Sequence, residues 1–235
     1  MKKFTKLWNA VKIPLLAILC SLVAGGVIIA VTGSNPFKAY YALLQGGGLA
    51  PKSSYASYKS MLTDFMSYVN YFTPMIFAAL AVAVALRAGL FNIGVSGQML
   101  AAGFTASIVV GYSSLNAVLA KPLVVIIGLI VGGLVGALIG LLKYRFNINE
   151  VVSSIMLNYT FQYVISFFIN TFFVDPVSRQ SKEISAASRL TLMDTMVGNL
   201  KMDIPLGIIL ALLTVVAVWF LFCLLYTSDA ADDMQ

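Results

Sequence analysis

The sequence predicts an all-α fold: a polytopic transmembrane helix bundle with about six spans. Three observations predict it. Hydrophobic residues make up 60% of the chain and charged residues only 10%, against about 25% charged in a soluble domain. The mean hydropathy is +0.93, more apolar surface than a water-soluble fold of 235 residues can hide. Finally, the apolar residues fall into segments near the roughly 20 residues that a helix needs to cross a bilayer.

The first segment, Ile13 to Thr32, follows the basic leader "MKKFTK". Its apolar run exceeds the roughly 7–15 residues of a signal-peptide core, and no A-x-A cleavage site follows, so it reads as a retained anchor. A second span runs from about Tyr68 to Leu86 and is entered through Pro74. The third, about Gln98 to Tyr112, is short and needs residues from the preceding polar stretch to complete a crossing. Pro122 to Leu142, about Val151 to Val174, and Ile204 to about Phe222 complete the set. Residues 1–222 thus form one membrane domain, with residues 223–235 as a tail.

Lys2, Lys3, Lys6 and Lys12 precede the first span with no acid among them, which places the N-terminus in the cytoplasm. Alternation then puts Arg87, Lys143 and Arg145 on the same side. The outer loops are about 33–67 and 175–203. The first carries Tyr40, Tyr41, Tyr55 and Tyr58, with Tyr68 and Tyr71 just beyond it, and reads as interfacial helix whose aromatic rings suit the bilayer boundary.

Composition also excludes chemistry. The chain has no histidine, which removes Ser-His-Asp and Cys-His catalysis and HExxH zinc sites. Cys20 and Cys223 both lie in apolar segments and supply neither a disulfide framework nor a metal-ligand spacing. No GxxxxGK[ST] pattern occurs, so any ATP is bound elsewhere. The chain reads as a non-enzyme with no cofactor of its own.

Three stretches break the apolar monotony. "RAGLFNIGVSGQML", residues 87–100, sets Arg87, Asn92, Ser96 and Gln98 among Gly89, Gly94 and Gly97. Irregular backbone at membrane depth is tolerated only inside protein or beside a watery cavity, and transporters use broken helices to present backbone groups to solute. The stretch is a candidate broken helix beside a translocation path, although a short cytoplasmic turn uses the same residues, and Arg87 suits the interface. "FNINEVVSSIMLNYT", residues 146–160, opens with Asn149, a helix cap, and Glu150, which complements the helix dipole. Ser154 and Asn158 are four apart and share a face, for bonding between helices or for lining the path. In "GLIVGGLVGALIG", Gly128, Gly132, Gly136 and Gly140 recur every fourth residue. Small residues so spaced let a second backbone approach, within the chain or from a second copy.

The first two stretches resemble permease subunits of bacterial ABC importers, in the ribose, simple-sugar and nucleoside branch related to the branched-chain amino-acid permeases. "RAGLFNIGVSGQM" is similar to the family signature, although members often carry Glu where this chain has Ser96. "INEVVSSIMLNY" is similar to the Asn-Glu pair and Met-Leu-Asn segment of that branch. The resemblance spans about residues 10–222. It implies a cytoplasmic ATP-binding subunit, an extracellular or periplasmic solute-binding protein, a second permease copy or paralogue, and a place in the bacterial cell membrane. No nucleic acid enters. Solute-path candidates are Phe91, Asn92, Gly94, Ser96, Gly97, Gln98, Ser154, Asn158 and Tyr159, with the rings of Phe91 and Tyr159 as stacking partners. Such permeases are usually longer, and the acidic ending "CLLYTSDAADDMQ" matches no expected coupling segment, so residues 223–235 read as a truncated or artefactual end. The competing reading is an ATP-independent secondary transporter or channel. The few charges within the spans count against ion coupling; a structural scaffold is the third alternative.

Overall fold

A computed structural model describes residues 2–232, with side chains for Trp8 and residues 11–224. The protein is all-α and multi-pass. Helices α1 (Lys2–Val31), α3 (Met61–Arg87), α5 (Ala117–Phe146), α6 (Glu150–Phe168) and α7 (Gly207–Asp232) supply five stretches long and apolar enough to cross a membrane. Two shorter helices, α2 (Pro36–Gly46) and α4 (Val95–Ala106), complete the set with a hairpin of β1 (Thr191–Val197) and β2 (Leu200–Pro205). At most 17% of the best window in any span is covered by protein. The helices present apolar surface outward, as lipid solvation requires.

Boundaries differ from the sequence reading in physically simple ways. Helix α3 starts at Met61, not Tyr68, because its first turn is capped: Thr63 Oγ1 accepts from the Ser60 amide at 3.1 Å, one half of a capping box, while the Thr63 amide donates to the Ser60 backbone carbonyl at 3.0 Å. Pro74 therefore lies inside the helix rather than at its start. The last span starts at Gly207, because Ile204 belongs to β2. It continues without a break through residue 223 to Asp232. The expectation for 223–235 falls largely outside the described side chains, and residues 233–235 lie outside the described residues. The same holds for the Lys2, Lys3 and Lys6 side chains.

The chain divides into two compact units. The first comprises Met1–Tyr68 and Val197–Lys201. In it α2, capped by Asn35 Oδ1 on the Phe37 amide at 2.9 Å, docks on α1. The Tyr40 hydroxyl donates to the Leu22 carbonyl beside Gly25, so this tyrosine anchors helix to helix rather than sitting at a lipid boundary. Gly48 has φ +67°, and an added Cβ would lie 2.3 Å from the Phe65 amide nitrogen; only glycine fits this turn.

The second unit comprises Val69–Met196 and Met202–Gln235. Its core is Ala101 of α4, Val135 of α5 and Ile165 of α6, backed by Phe104, Val131 and Phe161. Helices α4 and α6 each continue into a π-helical turn, Ser107–Gly111 and Ile169–Phe173. Connections gather at two ends. At one, Lys143 Nζ pairs with Glu150 Oε1 at 2.8 Å. At the other, the Lys121 ammonium donates to the Arg189 carbonyl, the Ser185 amide donates to the Gly111 carbonyl at 2.9 Å, and Thr191 Oγ1 donates to Asn70 Oδ1 at 2.8 Å.

Candidate functional site

The break between α3 and α4 is built from both sequence motifs. Helix α3 ends at Arg87, whose side chain is exposed, and Gly89 turns the chain with φ +70°. Helix α4 with its π turn, Val95–Gly111, is about 25 Å long at 1.5 Å per residue, short of the roughly 30 Å hydrocarbon core. Its start rests against α6, not against solvent. Asn158 Oδ1 accepts from the Gly97 amide at 2.8 Å, and Asn158 Nδ2 donates to the Ile93 carbonyl at 3.0 Å. One side-chain amide thus satisfies a loop carbonyl and a first-turn N–H. Asn158 lies about 12 Å along α6 from Glu150 at 1.5 Å per residue, well inside the candidate span Glu150–Phe173.

The two glycines are required by this contact. A Cβ on Gly97 would lie 2.6 Å from Asn158 Oδ1 and 3.1 Å from Asn158 Cα. A Cβ on Gly94 would lie 2.7 Å from Ile139 Cδ1 and 3.2 Å from Ser154 Cβ. Asn92 Oδ1 accepts from the Gly94 amide at 2.7 Å, satisfying a second N–H within the loop. At the mouth of α6, Asn149 Oδ1 caps the Val151 amide at 2.8 Å. The Glu150 carboxylate takes Lys143 from the end of α5, and the Phe91 backbone amide approaches the same carboxylate. The two motifs therefore form one joint: the second clamps the break in the first.

This geometry sorts the sequence candidates. Gly94, Gly97, Ser154 and Asn158 come together at the α4–α6 contact. Ser154 is completely buried, and its hydroxyl donates to the Val151 carbonyl at 3.0 Å in its own helix rather than to a neighbour. The Asn92 and Asn158 side chains are engaged with backbone. Phe91, Ser96 and Tyr159 are exposed and stand apart from that contact. Gln98 makes no side-chain hydrogen bond among the described residues. It lies on the wall of a cavity of about 570 Å³ between α3, α4 and α5, with Phe77, Ala78, Ala81, Gly128 and Gly132.

The glycine row of α5 has a different setting from the expected backbone contact. Among the four, only Gly136 has a close neighbour, Gln98 Nε2 at 3.1 Å from an added Cβ; Gly128, Gly132 and Gly140 meet nothing within 4 Å. Within the chain the row leaves room and lets Gln98 reach α5 at Gly136.

Residues 65–228 match the branched-chain amino acid transport system permease component family. The chain belongs to this family. Among relatives of the permease, the guanosine ABC transporter permease protein NupP of Bacillus subtilis is 35% identical over 211 residues, covering 89% of this chain and 57% of that protein. The nucleoside ABC transporter permease protein NupB of Lactococcus lactis is 32% identical over 219 residues, again 89% and 57%. The glucose ABC transporter permease protein TsgB13 of Haloferax volcanii is 28% identical over 162 residues, 69% of this chain and 40% of that protein. The chain spans little more than half the length of the first two. No solved structure matches the permease.

The fifth span, expected over about Val151 to Val174, is present as α6 with its π turn, but the candidate residues along it stop at Tyr159. Gln162, Ser166 and Asn170 follow at intervals of four, all exposed, beside Tyr163. Their i, i+4 spacing was the available signal.

Proposed function

We propose that this permease is the membrane-spanning subunit of an ATP-driven importer that carries nucleosides or simple sugars across the bacterial cell membrane by alternating access. The observation that carries the reading is the interrupted α4, whose entrance is sealed by Asn158 at membrane depth beside a cavity walled by Gln98; irregular backbone at that depth belongs to protein interior or to a solute route. The 35% and 32% identity to permeases named for guanosine and nucleosides favours nucleosides over sugars. Energy then comes from a cytoplasmic ATP-binding subunit, solute from an external binding protein, and the route is completed with a second permease copy or paralogue. Gln98 is the sequence candidate whose uncommitted polar end borders this cavity, so it is assigned to solute contact.

Ion-coupled transport fits the carboxylates poorly. In the candidate spans the described acids are Asp64 and Glu150. Each lies in the first turn of its helix, and each is ion-paired, with Lys52 at 2.6 Å and Lys143 at 2.8 Å. Neither is a free carboxylate deep in a span, as ion-coupled sites use.

The test is uptake of radiolabelled guanosine, uridine, ribose and glucose by cells expressing the transporter, with and without an inactivated partner ATPase. Nucleoside uptake that disappears with the ATPase is expected, together with a raised KM in Gln98→Ala. Uptake that survives ATPase inactivation and collapses with a protonophore would overturn the reading.

A further inference from the structure

We propose that the exposed face of α6 from Tyr159 through Gln162, Tyr163 and Ser166 to Asn170 lines the hydrated solute route, its two phenol rings stacking on a planar, polar ring compound of nucleobase type. The inference rests on the transport reading above and adds to it the surface that solute touches and the class of group recognised there.

At 3.6 residues per turn these side chains fall within an arc of roughly 100°. The centre of the arc lies roughly 110° around α6 from the side that carries Ser154, Asn158 and Ile165 and packs on α4, with Gln162 at its near edge. Tyr159 is 55% exposed and Tyr163 70%; Gln162, Ser166 and Asn170 are exposed as well. Among the described residues the side chains of Tyr159, Gln162 and Tyr163 have no hydrogen-bond partner. Asn170 Nδ2 returns to the Ser166 carbonyl at 2.8 Å, at the start of the π turn.

Depth decides what this face can meet. The span Glu150–Phe173 is about 36 Å long and Tyr163 lies about 20 Å along it, at 1.5 Å per residue. Tyrosines that serve the lipid boundary sit at its two edges, not at the middle. A phenol and a primary amide in hydrocarbon find no hydrogen-bond partner, and polar groups within a span turn towards protein or water. The same unit shows what a lipid-facing surface looks like. The exposed face of α5 away from the Gln98 cavity carries Ile130, Leu134, Leu138 and Leu141, with no polar side chain among them.

The choice between water and a tightly packed second copy follows from residue size. Packed transmembrane interfaces use small residues that let backbones approach, whereas this face presents two tyrosines and a glutamine. Long polar ends at intervals of one turn suit a wet wall. Aromatic faces stack on any planar base, and amide and hydroxyl groups bond its polar edge.

The experiment uses cysteine accessibility in cells expressing the intact transporter, with Cys20 and Cys223 replaced by serine. Gln162→Cys and Ser166→Cys are compared with Ile130→Cys and Leu134→Cys, using a membrane-impermeant cationic methanethiosulfonate, which needs a hydrated thiolate. The α6 positions are expected to react at least tenfold faster than the α5 positions, and saturating guanosine is expected to slow them severalfold. Equal rates on both helices overturn the proposal in favour of lipid. So does an unreactive Gln162→Cys that crosslinks two copies, which indicates a packed interface. Tyr163→Phe and Tyr163→Leu at matched membrane levels give a second readout: guanosine KM rises severalfold for leucine and little for phenylalanine, and equal KM values refute stacking. Loss of nucleoside uptake in the unsubstituted transporter would instead fail the transport reading, and the labelling contrast is measured independently of it.

Discussion

The two sides of α6 use polar residues in opposite ways. On the side facing α4, polar groups are committed: Asn158 holds Gly97 and Ile93, and Ser154 is buried and bonded into its own helix. On the exposed arc beside it, Tyr159, Gln162 and Tyr163 are open and unbonded among the described residues. Polarity inside a membrane helix is thus not one signal. A polar group that completes the hydrogen bonding of a broken neighbour is architecture, whereas one left open at mid-depth is reserved for something that arrives from outside the chain.

The comparison breaks most readily at Gly97. Gly97→Leu places carbon where Asn158 Oδ1 and Cα already lie. Overpacking of this kind costs about 1–3 kcal/mol or more, and loss of the clamp adds to it. A large drop in the detergent-solubilised melting temperature is expected, with little protein reaching the membrane; a melting curve within 1 °C or so of the parent, where about 1 kcal/mol shifts Tm by roughly 2–4 °C, would show that α4 is not held by α6.

The next largest effect belongs to Asn158. Asn158→Leu leaves the Ile93 carbonyl and the Gly97 amide without their partner, and a buried polar group so stranded costs about 1–3 kcal/mol. Asn158→Asp keeps an acceptor for Gly97 but sets a carboxylate against the Ile93 carbonyl, so it should not rescue. Thermal unfolding of both variants beside Gln162→Leu sharpens the contrast. The Asn158 variants should lose stability, whereas Gln162→Leu should keep it and change only uptake.

A smaller effect is expected at Glu150. Its partner Lys143 has a side chain 39% exposed, and partly solvated pairs contribute about 0–1 kcal/mol. Glu150→Gln should therefore shift stability slightly, and the shift should shrink in high salt, read by unfolding at two ionic strengths. The smallest effect concerns Asp175, outside the spans. The Val177 amide and the Ser178 hydroxyl, at 3.1 and 3.0 Å, hold its carboxyl below the ordinary aspartate range. Because the folded value is depressed, its contribution to the loop is present above the unfolded value near 3.9 and fades as pH falls through the folded one. A carboxyl titration by NMR should show the low midpoint in the parent and its return towards the ordinary value in Ser178→Ala with Val177→Pro.

The helical architecture was legible because apolar length and glycine or asparagine punctuation are local properties. The cap at Asn149 and the shared face of Ser154 and Asn158 were equally readable, since helix geometry fixes them. The hairpin at 191–205 and the two π turns were not, because they depend on where distant segments end. For Asn158 both bonding between helices and lining the path were open, because its partners Ile93 and Gly97 are distant in sequence and spacing could not decide between the two. For the glycine row of α5, spacing reveals a flat surface but not what lies opposite: within the chain only Gly136 has a close neighbour, which bears on the first of the two expected contacts and not on one with a second copy.

Gly94 and Gly97 have a mechanical consequence. A methyl on Gly97 would overlap Asn158 of α6, and one on Gly94 would overlap Ile139 of α5 and crowd Ser154 of α6, so α4 and α6 cannot slide past each other without breaking the joint. Any rocking of this subunit must carry the two as a single lever, and the give falls to the turn at Gly89, where an added carbon meets nothing within 4 Å.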